Sequence, residues 1–131
     1  MNIEVITAHL KQRLPDLQAA YLFGSYASGD AGPKSDLDLA VLLPKSVEPV
    51  FLWELSGELA DLAGIPVDLV DLRGASTVMQ YQVITTGKRL WAQPLVTGLF
   101  ECFVLSEKTA LDTARSGLLA DIKRDGHVYA R

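Results

Sequence analysis

The sequence predicts a small α/β domain of the α+β kind: a mixed β-sheet flanked by helices, ending in a C-terminal helix or helical pair. Three observations carry this. Four strand-like apolar runs, 18–23, 36–43, 65–72 and 88–91, alternate with segments whose apolar residues recur every three to four positions. The intervening loops are rich in Gly and Pro. A helix fits between the second and third runs, which permits a right-handed crossover and a parallel pair, while the first two runs can lie antiparallel.

In chain order, residues 2–14 place Ile3, Ile6, Leu10 and Leu14 on one helical stripe, and Pro15-Asp16 ends it. His9 lies beside that stripe as a surface or packed histidine. The run 36–43 stops at Pro44. A helix over Pro49–Ala63 comes next, with Pro49 in its first turn, Leu52, Leu55, Leu59 and Leu62 on one face, and Gly64 closing it. Phe51 and Trp53 flank that face, either packing on the sheet edge or stacking on a base. Ser76 is an N-cap for a helix over 77–86 that Gly87 ends. Pro94 breaks the chain. From Leu99 to about Arg124, Phe100, Val104, Leu111, Leu118 and Ile122 form one narrow stripe, which Gly117 can kink or split. This stripe either folds back on the domain or docks on a partner helix. The tail His127–Arg131 is expected to fray.

Length and composition narrow the function classes. The 131 residues fit one domain over 1–131, and about half are apolar. The net charge is −4 and no basic run exceeds a pair such as Lys88-Arg89, which argues against direct DNA or RNA binding through a broad basic face. A small nucleotide whose charge is handled by metal ions remains compatible, as does a basic protein partner. Cys102 is the single cysteine, so no internal disulfide forms. The first residues carry no cationic start before a long apolar run, and no segment is apolar enough to span a bilayer, so a cytoplasmic location without membrane attachment is expected. A Rossmann glycine fingerprint and a P-loop are both lacking.

The informative stretch is Phe23-Gly24-Ser25 through Asp36-Leu37-Asp38. Gly24 comes after a strand-like run and permits φ > 0 or close approach to a ligand. Ser25 is expected to cap a short helical turn whose free N–H groups can hold phosphate oxygens. Asp36 and Asp38, one residue apart on a strand, point the same way, with Leu37, Leu39, Val41 and Leu43 on the other face. Two such carboxylates repel and raise each other's pKa unless a cation sits between them, and hard oxygen donors suit magnesium or manganese. On the next strand Asp68 and Asp71 are odd-spaced and face opposite ways; one joins the acids and the other faces solvent or caps the succeeding segment. Strand starts, turn and acids converge at one rim of the sheet. Lys34, Arg73 and Lys88 are the nearby cations, each either a phosphate contact or an ordinary surface charge.

Gly-Ser, ten residues, then Asp-x-Asp occurs by chance about once in four hundred chains of this length. Across roughly residues 15–92, the chain resembles the DNA polymerase β-like nucleotidyltransferase superfamily, and its short length looks most like the minimal nucleotidyltransferase (MNT) antitoxins paired with HEPN ribonuclease toxins. That resemblance implies the polymerase β-like nucleotidyltransferase fold, with residues from about 96 to 125 as a helical extension. It favours Asp68 as the third carboxylate. It implies two magnesium ions (or manganese) held by Asp36, Asp38 and Asp68, with Gly24 and Ser25 on the β/γ phosphates of ATP. It also implies AMP transfer onto a tyrosine hydroxyl of a cognate HEPN toxin in a hetero-oligomer. Two alternatives stay open: a binding-only antitoxin that masks the toxin, and a small-molecule nucleotidyltransferase acting, for example, on an aminoglycoside.

Overall fold

A computed structural model describes residues 2–125, without the side chains of 121–125. The tail His127–Arg131 and the Ile122 side chain lie outside the described residues. In chain order the elements are α1 (Ile3–Arg13), β1 (Ala19–Phe23), α2 (Ser25–Ser28), β2 (Leu37–Leu42), α3 (Pro49–Ala63), β3 (Val67–Asp71), α4 (Thr77–Thr86), β4 (Lys88–Ala92) and α5 (Pro94–Asp125).

The four strands form one mixed sheet of order β3-β2-β1-β4. β1 is antiparallel to both β2 and β4, and β2 is parallel to β3 across the α3 crossover, as the connection lengths require. Both faces of the sheet are covered, so β2 is apolar on both sides after its first residues. On one face Leu22, Leu37, Leu39, Val41 and Leu69 meet Ile6 and Leu10 of α1 and Leu55 and Leu59 of α3. On the other, Tyr21, Phe23, Ala40, Leu42 and Leu72 meet Val83 of α4 and Phe100 and Val104 of α5.

The helix signals act largely as expected. Asn2 caps α1 by accepting the Glu4 and Val5 N–H groups, and Ser76 caps α4 by accepting from Met79. Gly64 ends α3 in the left-handed conformation at φ 74°. His9 is a packed surface histidine: with Arg13 it reaches Glu58 and ties α1 to α3.

Some expectations change. Leu62 is exposed, and Trp53 stands 77% exposed, so the packed face of α3 is narrower than its periodicity suggests. Pro94 does not break the chain but opens α5 at N1, where its missing N–H costs nothing. The last helix therefore starts before Leu99 and runs through Gly117 as one element, not a pair. Its stripe divides: Phe100 and Val104 are buried, whereas Leu111 and Leu118 are exposed.

Candidate active site

The site forms where β1 ends and β2 and β3 begin. Asp38 is in register with Phe23 on β1 and with Asp68 on β3. Residues paired in register share a face, so Asp38 and Asp68 stand side by side on neighbouring strands. Asp36 lies just before β2, two residues from Asp38 and of the same parity, with Leu37 between them buried on the far side. Asp36 and Asp68 are exposed and Asp38 is half-buried. Burial, then the charge of Asp68, then that of Asp36 push the Asp38 carboxyl above the usual carboxylate range.

Gly24 is required twice over. Its backbone, at φ 71° and ψ −152°, lies in a region essentially restricted to glycine. A Cβ there would also fall 2.2 Å from Asp38 Oδ2. The hollow left by the absent side chain is the space that the Asp38 carboxylate occupies.

Gly24 is also the cap residue of α2, and Ser25 is the first helical residue instead of the cap that the sequence suggested. The reason is the sharp turn at Gly24, which starts the helix one residue earlier. Gly24 O accepts the Ala27 and Ser28 N–H groups, and Ser25 O accepts those of Gly29 and Asp30. Among the described residues the N–H groups of Ser25 and Tyr26 have no partner, and such free donors at a helix start favour anions. Tyr26 was not singled out from the sequence; its signal is only that it comes directly after Ser25 in the turn.

Asp71 does not join the acids. In register with Val41, it faces the opposite side. There its Oδ2 accepts the Val47 N–H at 2.8 Å, while Oδ1 is buried without a partner. It thus braces the earlier loop before α3; it neither faces solvent nor caps the succeeding segment. Arg73, at the far end of the sheet, donates to Leu43 O and Gln18 Oε1 and lies over the Phe100 ring. It is neither a phosphate contact nor a surface ion pair. Lys88 pairs in register with Leu22 at the acid end and is exposed, as is Lys34 in the loop before Asp36.

The donor set fits a hard divalent cation. It is all oxygen, and the acids lie close enough to disfavour one another's charge. Among the described residues no group of three or more acid, histidine or cysteine side chains is placed to hold a metal ion by itself. The acids form an open rim, the arrangement magnesium accepts when substrate phosphates complete its shell. Among the described residues no helix is long and apolar enough to cross a membrane.

The sheet end thus carries a glycine-bounded turn with free N–H groups beside paired carboxylates, the parts that a nucleotidyl-transfer class of site needs. The polymerase β nucleotidyltransferase model matches residues 4–94, and the chain belongs to that family. It is 39% identical over 122 residues to the protein adenylyltransferase MntA of Shewanella oneidensis, covering 93% of this chain and 88% of that protein. A toxin–antitoxin crystal structure with AMP-PNP superposes with a TM-score of 0.84 at 39% identity, covering 94% of this chain and 99% of that one. A tri-AMPylated Shewanella oneidensis HEPN toxin in complex with its MNT antitoxin gives 0.75 at 38% identity, over 92% and 94% of the two chains.

Proposed function

We propose that this protein is an antitoxin that transfers AMP from ATP to a tyrosine hydroxyl of a cognate HEPN ribonuclease toxin, neutralising it in a hetero-oligomeric complex. The observation that carries this reading is the register of Asp38 with Asp68, beside the hollow of Gly24. Its setting in a chain 39% identical to a protein adenylyltransferase supports the same conclusion.

In the reaction the tyrosine oxygen bonds to the α-phosphorus of ATP. The bond from that phosphorus to the α,β-bridging oxygen breaks, and pyrophosphate leaves with its electron pair. Asp36, Asp38 and Asp68 would hold magnesium, or manganese, which supplies neutralisation of phosphate charge and acidifies a nearby hydroxyl. The residues of the chain do the remainder. The free N–H groups at Ser25 and Tyr26, with the Ser25 hydroxyl, bind the β/γ phosphates and aim the triphosphate. Asp68, exposed at the start of an edge strand, is open to the acceptor and takes the tyrosine proton.

Incubation with the purified toxin, α-labelled ATP and magnesium tests this. Label is expected on a toxin tyrosine with the wild type, and loss of at least about a hundredfold in rate is expected with Asp68→Asn. Toxin that is neutralised without label, or equal labelling by Asp36→Asn/Asp38→Asn, overturns it. Protection of cells by that double variant favours the binding-only reading, and transfer to an aminoglycoside in preference to the toxin favours the small-molecule one.

A further inference from the structure

The free part of α5 has no role in the chemistry above. Its course is set by its contacts. At its start the Gln93 N–H and the Thr97 hydroxyl both reach Gln18 O, before β1 and at the far end of the sheet. One turn later Glu101 Oε2 accepts from Tyr21 and Arg89 in mid-sheet, 2.6 Å from each. Lys108 then lies over the ring of Tyr81 on α4, which itself runs towards the acid end. The helix therefore returns along the sheet towards the acids, and residues 109–120 are all exposed. These twelve residues, at 1.5 Å each, span about 18 Å.

That projecting segment is built for a cover. Val104, buried on the domain, begins a seven-residue spacing that continues to the exposed Leu111 and Leu118, so one narrow apolar stripe of α5 runs on past the domain. Leu111 is 39% exposed, Leu118 61% and Leu119 58%. Uncovered helical segments this short are marginal in water, and Gly117 weakens this one by about 1 kcal/mol relative to alanine. A Cβ at Gly117 would meet nothing within 4 Å, so no contact within the domain requires glycine there.

Resting on the function proposed above, we infer that residues 109–120 of α5 are a docking arm for the acceptor toxin, taking an apolar helix of that protein against Leu111 and Leu118 and so holding its tyrosine over the acid rim. Two features favour the toxin over a second copy of this chain. The arm projects from the end of the sheet that carries the acids. The acceptor must be delivered to that same end.

The test is Leu111→Glu/Leu118→Glu, with Trp53→Glu on exposed α3 as control. Both variants should fold as the wild type does by circular dichroism and bind AMP-PNP with magnesium equally well, because all three side chains are exposed. The arm variant should cease to co-elute with the toxin and should raise the KM for toxin at least about tenfold, with kcat at saturating toxin retained; Trp53→Glu should do neither. Unchanged co-elution and KM in the arm variant overturn the inference, as does an equal loss from Trp53→Glu. A wild-type dimer that the arm variant dissociates, with toxin binding intact, assigns the arm to a second copy and also overturns it. If the wild type transfers no AMP, the function proposed above fails, while co-elution still decides whether the arm docks the toxin.

Discussion

Replacing Gly24 by alanine should damage stability and chemistry together, and the structure separates the two causes. The backbone at φ 71° and ψ −152° costs a non-glycine residue about 1–3 kcal/mol. In a domain of this size that lowers Tm by roughly 3–15 °C. The new Cβ also falls 2.2 Å from Asp38 Oδ2 and 3.1 Å from its Cγ, so the carboxylate must retreat by about 1 Å, a displacement that costs a catalytic group about a hundredfold in rate. Gly29 is the internal control. It too has positive φ, 86°, but a Cβ there meets nothing within 4 Å, so Gly29→Ala carries only the left-handed penalty of about 1–2 kcal/mol. Asp38→Ala isolates the clash, because it removes Oδ2 and Cγ and leaves only Cβ at 3.3 Å. Thermal melts of the four single and double variants, with AMP transfer measured alongside, make the assay. The account expects Gly24→Ala to melt below Gly29→Ala, and its penalty to shrink by about 0.5–3 kcal/mol in the Asp38→Ala background. A Gly24→Ala protein that melts with Gly29→Ala, shows no coupling to Asp38 and transfers AMP at the normal rate would refute the close approach of this glycine and this acid.

Two further outcomes rest on the same geometry. Asp38→Asn should abolish transfer yet stabilise the metal-free protein at neutral pH. The folded-state pKa of Asp38 is raised, so the stability linked to its protonated form is present below the unfolded carboxylate range and is lost as pH rises through the folded pKa. Asparagine does not titrate, and its advantage, set first by burial of the Asp38 carboxylate and then by the charges of Asp68 and Asp36, should grow from near zero at about pH 3.5 to roughly 0.2–1 kcal/mol at pH 7.5. Melts in chelator at both pH values check this, and an Asn variant less stable than wild type at neutral pH contradicts it. Asp71→Ala should behave in the opposite way: it strands the Val47 N–H and costs about 1–3 kcal/mol, but leaves the transfer rate of the folded protein unchanged. A rate loss as large as that of Asp68→Asn would place Asp71 in the chemistry.

Much of this site was legible in the residues themselves, because strand periodicity alone puts Asp36 and Asp38 on one face and sends Asp68 and Asp71 to opposite ones. Chain connectivity then brings the starts of β2 and β3 beside the end of β1. What was not legible depends on contacts distant in sequence. Nothing in the local pattern around Asp71 shows that its partner is Val47, 24 residues earlier. Nor does any periodicity reveal that the absent side chain of Gly24 makes the space for Asp38. Proline cannot be read as a breaker or an opener without knowing which side the helix lies on, and at Pro94 it opens one. A stripe such as Val104, Leu111 and Leu118 shows which face is apolar, but whether a core covers it depends on where α4 ends.

The most direct measurement is the anomalous signal of manganese in crystals grown with AMP-PNP and Mn2+. The account predicts metal peaks at the carboxylates of Asp36, Asp38 and Asp68, with the triphosphate against the Ser25 and Tyr26 N–H groups. Nucleotide seated at the far end of the sheet, or metal bound away from all three acids, would contradict it.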